Sequence, residues 1–112
     1  RTLPQQALLY RLSGDVNPLH ADPAVAAKAG FPRPILHGIC TFGIACKAAV
    51  ESALDGDVTA VRRFGARFSG VVYPGETIVT RLWRADGSLL FEASVKERDV
   101  TVLSHGRLEM RA

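Results

Sequence analysis

The chain has 112 residues, 47% of them apolar and 22% charged, and a formal net charge of +3. This length bounds a single domain with one core, and the balance is that of a globular protein rather than a disordered one. No run of about 18 apolar residues occurs, which excludes a transmembrane helix. Arg62, Arg63 and Arg67 form the one basic cluster, without the interleaved aromatics of a single-strand groove, so neither nucleic acid nor membrane is an expected partner. The chain shows no charged-then-apolar leader. Its end, Met110-Arg111-Ala112, is not a Ser-Lys-Leu peroxisomal address, so the expected compartment is the cytoplasm.

The predicted elements run as follows. Pro4 suits the first position of a helix reaching about Leu12, with Leu8, Leu9 and Leu12 on one face. Ser13 to His20 follows as a loop, because Gly14 and Pro18 both resist regular structure. Asp22 with Pro23 reads as an N-cap and first helical residue, and Gly30 as the residue past that helix's end. Residues 31–37 hold two prolines and form a rigid connector. From His37-Gly38 to about Leu54, the spacing of Ile39, Phe42, Ala45, Cys46, Ala49, Val50 and Ala53 predicts a buried helix. Asp55-Gly56-Asp57 ends it. Strands are then expected over about 58–70, 76–85, 89–98 and 100–111, with turn signals at Tyr73-Pro74-Gly75 and Ala85-Asp86-Gly87. One long helix before several antiparallel strands is an α+β domain with a sheet wrapped on a helix. Cys40 and Cys46, about 9 Å apart along that helix, point to different faces and cannot pair; both read as buried, inert thiols.

The chemistry concentrates in Ser13-Gly14-Asp15-Val16-Asn17-Pro18-Leu19-His20. A carboxylate, a carboxamide and an imidazole stand within six residues on a stiffened backbone. Such a loop can aim a base, a hydrogen-bond holder and a second acid–base group at one water. The plain alternative is an Asx turn, in which Asp15 and Asn17 bond their own backbone.

Together with the aromatic at Tyr10, the segment Asp22-Pro23, the run Pro34-Ile35-Leu36-His37-Gly38, and Arg67-Phe68 and Val72-Tyr73-Pro74-Gly75 further on, this loop resembles the MaoC-like dehydratases. The closest likeness is to the type 2 enoyl-CoA hydratases, in particular the C-terminal, catalytic half of the double-hot-dog hydratases of multifunctional fatty-acid oxidation enzymes. The resemblance spans nearly the whole chain. It implies a hot-dog fold, an antiparallel sheet around one central helix, and reversible addition of water to a trans-2-enoyl-CoA giving the (3R)-3-hydroxyacyl-CoA. It implies that Asp15 and His20 activate the water, that Asn17 orients it, and that Gly38 donates to the thioester oxygen. Gly38 fits that role physically, standing at a helix start where the N–H is unpaired and having no side chain to block approach.

Phe68 matches a position lining the acyl or pantetheine site, and Arg67 a possible contact for coenzyme A phosphates. His37 adjoins the oxyanion donor, either facing substrate or fixing the loop. His105 reads as an ordinary strand histidine. A metal site of Asp15, His20, Asp22 and His37 is the competing assignment, against which the resemblance implies a metal-free hydratase without a cofactor, the substrate carrying the coenzyme A. Hot-dog units pair, so a homodimer or a second hot-dog domain is expected, and the chain reads as one domain over 1–112 cut from a longer double-hot-dog protein. The alternative function is a non-catalytic, acyl-binding or scaffolding half, which would be expected to lose Asp15 or His20; this chain keeps both.

Overall fold

The computed structural model describes residues 1–111. Three α-helices precede four strands: α1 Gln6–Tyr10, α2 Pro23–Lys28, α3 Gly38–Ala53, β1 Val61–Phe68, β2 Ile78–Ala85, β3 Ser88–Val95 and β4 Val100–Met110. The strands form one antiparallel sheet in the order β1-β4-β3-β2. Helix α3 packs on the inner face of this sheet, against β1 and β2. This is the hot-dog arrangement expected from the sequence.

Small residues let helix and sheet approach. Thr41, Ala45 and Ala49, four apart, form a buried stripe on α3, with Ala45 and Ala49 fully buried. Opposite them, the Phe64 and Phe91 rings stack at 4.6 Å between centroids, over Ala93, Val95 and Leu103. A side chain at Gly106 would run into Phe91, its Cβ 2.6 Å from the ring. Cys40 and Val50 flank that stripe and are buried with it, while the rest of the helix is partly or fully open. Ile39, expected inside, is 59% exposed, and Cys46 is half-buried where a buried thiol was expected. Burial raises the pKa of both Cys40 and Cys46, which keeps them protonated and poorly nucleophilic.

The first helix is shorter than its leucines suggest. After Tyr10 it tightens into a 3₁₀ turn, Arg11–Ser13, and Gly14 stops it at φ 120°. Leu8, Leu9 and Leu12 do share a face, but that face is open, and Leu12 is 82% exposed; Ala7 is the buried residue of the helix, and Tyr10 packs against the core beside it. Strand β1 starts at Val61, not 58, because Asp57 caps a 3₁₀ turn over Val58–Ala60 by accepting from the Thr59 N–H at 3.0 Å. Strand β3 ends at Val95, not 98. Residues 96–99 turn without glycine or proline, with Asp99 at φ 50°. His105 is not a plain strand residue: it sits at φ 53° in a β4 bulge, exposed.

The connector that leads to α3 is held by a buried ion pair. Glu76, 6% exposed, accepts from Arg98 Nε at 2.6 Å and Nη2 at 2.9 Å, and from the Tyr73 N–H at 2.7 Å. Arg98 also donates to the Val71 carbonyl at 2.7 Å. The Arg33 and Arg98 guanidiniums both lie over the Tyr73 ring, at 4.7 and 4.8 Å. Next to this knot, the Leu36 N–H donates to the Val72 carbonyl at 2.7 Å, which fixes the residues just before His37 and Gly38.

Candidate active site

The loop from Ser13 to His20 takes its shape from its own side chains. Asp15 Oδ1 accepts from the Asn17 N–H at 3.2 Å. Asn17 Oδ1 accepts from the Leu19 N–H at 3.0 Å and caps the 3₁₀ turn Pro18–His20. The Asx turn, the plain alternative in the sequence, is therefore formed. These bonds use one carboxylate oxygen of Asp15 and the carbonyl of Asn17, which leaves the other Asp15 oxygen and the Asn17 amide N–H groups free toward solvent.

His20 comes to the loop from the end of that turn. Its Nδ1 is 2.8 Å from the Ile35 carbonyl, which can only accept. Nδ1 therefore carries the proton, and the Nε2 lone pair is free to accept. His37 is 1% exposed, its ring stacked on His20 at 3.9 Å and 26°. Its Nε2–H donates to the Asp15 backbone carbonyl at 3.0 Å, and Tyr10 leans on it at 4.7 Å. Among the described residues its buried Nδ1 has no partner, the sort of omission that costs about 1–3 kcal/mol. A carboxylate oxygen of Asp15 and one nitrogen from each histidine lie within 4.8 Å of one another.

These three residues also make the only metal-like grouping among the described residues, and its geometry suits a metal poorly. With metal–nitrogen bonds of about 2.1 Å, rings whose centroids are 3.9 Å apart would subtend roughly 75° at the ion, far from tetrahedral. Asp22, the fourth residue of the expected metal set, spends its carboxylate capping α2, accepting from the Ala24 N–H at 2.9 Å.

Gly38 opens α3, and among the described residues its N–H has no backbone acceptor. The Phe68 ring lies on it: a Cβ at Gly38 would sit 3.2 Å from Phe68 Cε1. Phe68 is 52% exposed, and three more exposed apolar side chains adjoin the site in the chain, Leu12, Val16 and Ile39. The arginines are elsewhere. Arg67 follows Ala66 and precedes Phe68, so strand alternation sends it to the outer face of the sheet. Arg63 pairs with Glu109 at 3.7 Å, and Arg62 lies by Met110 and Arg111 at the far end of the strand. Sequence reasoning missed two partners, the Ile35 carbonyl that sets the His20 tautomer and the stack of His37 on His20, because neither leaves a local pattern.

The site thus gathers a carboxylate and two imidazoles, the second of which directly precedes a helix-start N–H beside an exposed aromatic ring. Residues 1–105 match the family model described as the MaoC like domain. The chain is 58% identical over 104 residues to the enoyl-CoA hydratase ChsH3 of Mycobacterium tuberculosis, covering 93% of this chain and 36% of that protein. It is 53% identical over 111 residues to the peroxisomal enoyl-CoA hydratase 2 of Arabidopsis thaliana, covering 99% and 36%. Its fold superposes with a TM-score of 0.95, at 41% identity, on the full-length peroxisomal multifunctional enzyme type 2 of Drosophila melanogaster, covering 98% of this chain and 21% of that one. The chain thus spans about a third of the length of these two curated relatives. With the family model matching almost from end to end, this chain belongs to the MaoC-like dehydratase family.

Proposed function

We propose that this chain is the catalytic hot-dog domain of an R-specific enoyl-CoA hydratase. The observation that carries this reading is the clustering of an Asp15 carboxylate oxygen and a His20 ring nitrogen within 4.8 Å, on side chains that are each anchored by a hydrogen bond and keep another acceptor unused. A water there donates one hydrogen to each, accepts from the Asn17 amide, and turns its remaining lone pair to the β-carbon of a trans-2-enoyl thioester. As the C–O bond forms, Asp15 takes one water proton and electron density moves onto the thioester oxygen. The Gly38 N–H, at the positive end of α3, stabilises that oxygen, an effect worth about 3–4 kcal/mol where such donors are preorganised. The proton held by Asp15 then passes to the α-carbon, on the face from which water came. No atom is left over and no cofactor or metal is needed; coenzyme A enters as part of the substrate. His20 orients the water and shares its proton in transit.

Phe68 covers the pantetheine or the first acyl carbons beside Gly38. The cleft that His20 borders on its other side is only ≈180 Å³, below the roughly 300 Å³ of small-molecule pockets. We therefore assign the acyl tail to a surface completed by a second hot-dog unit, a second copy or a neighbouring domain, set against the exposed Leu12, Val16, Ile39 and Phe68. That dependence is what favours the second reading, a chain with the residues of a hydratase that acts only when paired. The names of the relatives include peroxisomal proteins and a mycobacterial one, so membership of the family does not carry a compartment.

The test is absorbance at the enoyl-thioester band on mixing the protein with crotonyl-CoA and then decenoyl-CoA. Loss of the band with a 3R product supports the reading. An intact band with folded, paired protein overturns it in favour of the binding half.

A further inference from the structure

Resting on the hydratase reading, we propose that His37 is the positioning residue of the site, an imidazole that sets Asp15, His20 and Gly38 in register without touching substrate. Each of the three is reached by a different part of it. The Nε2–H donates to the Asp15 carbonyl at 3.0 Å. The ring face lies on His20 at 3.9 Å. The backbone carbonyl accepts the Cys40 and Thr41 N–H groups, at 3.0 and 3.2 Å, that open α3 immediately after Gly38. Tyr10 supports the ring at 4.7 Å, and 1% exposure keeps it from both water and substrate.

The shape of this position asks for imidazole. A flat ring is needed for the stack, and an N–H at its tip for the Asp15 carbonyl. Phenylalanine has the ring without the donor, and glutamine the donor without the ring. The other ring nitrogen, Nδ1, is buried with no partner among the described residues, so the fold they form gains no hydrogen bond from it. The two stacked rings also hold opposite tautomers, because each faces a carbonyl: Nε2–H in His37 and Nδ1–H in His20. The stack thereby fixes the plane in which the His20 Nε2 lone pair meets the water. Without it, His20 keeps its bond to Ile35 but can tilt about it, and the Asp15 peptide loses its anchor. Substrate contacts at Phe68 and Gly38 remain. Such a loss shows in kcat and not in KM.

The experiment compares His37→Phe and His37→Gln with wild type in the intact protein, by steady-state kinetics on an enoyl-CoA, thermal unfolding, and long-range ¹H–¹⁵N spectra of the histidine rings. The expected His37→Phe protein is folded, with an unfolding temperature equal to or above wild type. Its kcat falls about 10- to 100-fold while KM stays within about threefold. The His37→Gln protein keeps a donor for Asp15 and still loses turnover, because the stack is gone. Wild-type spectra are expected to show one buried ring protonated on Nε2 alone beside one protonated on Nδ1 alone, and the His20 pattern averages in His37→Phe. A folded His37→Phe with kcat within twofold of wild type overturns the proposal. So does a loss carried by KM, or a His37 ring protonated on Nδ1. The wild-type spectrum decides even if neither variant folds. Inactivity of wild type on every enoyl-CoA would instead remove the hydratase reading, and leave the tautomer pattern to be read on its own.

Discussion

Around Tyr73 and around His37 the chain gathers polar side chains in similar number, and the two groups differ in what is left over. In the first, the Glu76 carboxylate takes two bonds from Arg98 and one from a backbone N–H, and both neighbouring guanidiniums rest on an aromatic ring. The carboxylate at its centre has both oxygens engaged. In the second, each group is tied by one atom and open at another: Asp15 by one oxygen, Asn17 by its carbonyl, His20 by Nδ1. The closed cluster holds the connector; the open one sits at the end of that connector and presents its spare atoms to water. Saturated polar groups serve the fold, and half-saturated ones on a fixed frame serve chemistry.

Substitutions that cross this division should separate stability from turnover. The largest effect on chemistry comes from Asp15→Asn and His20→Gln, each expected to cut kcat by at least about 100-fold while leaving the unfolding midpoint near wild type, as measured by enoyl-CoA hydration and calorimetry. Wild-type rates in either would remove that residue from the mechanism. Glu76→Gln should do the reverse. Leaving Arg98 beside an uncharged partner is expected to cost roughly 2–3 kcal/mol, reduced from a fully buried pair because Arg98 is 33% exposed, with kcat per folded molecule kept. Denaturant unfolding checks it. Between these lies Gly38→Ala: a methyl there presses on Phe68 and crowds the approach to the N–H, for an expected drop in kcat of about tenfold.

A pH series sharpens the same contrast. Burial pushes the Glu76 carboxyl up, but its bonds from Arg98 and Tyr73 and the charges of Arg98 and Arg33 outweigh this and hold it below the usual carboxylate range. A pKa depressed on folding contributes stability above the unfolded value of 4.5, and that contribution drains away as pH falls through the folded value. Thermal midpoints should therefore decline below about pH 4.5, and less steeply in Glu76→Gln. The smallest effect is Arg67→Ala, expected to leave KM for an enoyl-CoA within about twofold, since this side chain stands on the outer face of the sheet.

The local grammar of the loop and of α3 was fully legible. Asx bonds, Asp22 as a cap, proline stiffening and a glycine at a helix start act over two to four residues. Exposure was not. Leu8, Leu9 and Leu12 look like a core stripe, and only the tertiary arrangement shows that Ala7 takes the inward place. The turn at 96–99 lacked glycine and proline and so read as strand. Arg67 and Phe68 carried a signal that could have been used, since neighbours on a strand cannot both face the same site. The stack of His37 on His20 joins residues 17 positions apart, and no periodicity records it.

The most direct test of the shared water is hydration in D₂O. With crotonyl-CoA, at low conversion, the product is to be analysed for configuration at both carbons. Delivery of hydroxyl and deuteron from one Asp15–His20 position predicts a single 3R diastereomer with oxygen and deuterium added to the same face. An opposite-face or scrambled product would mean that the α-proton comes from elsewhere, and that Asp15 and His20 do not act on one water.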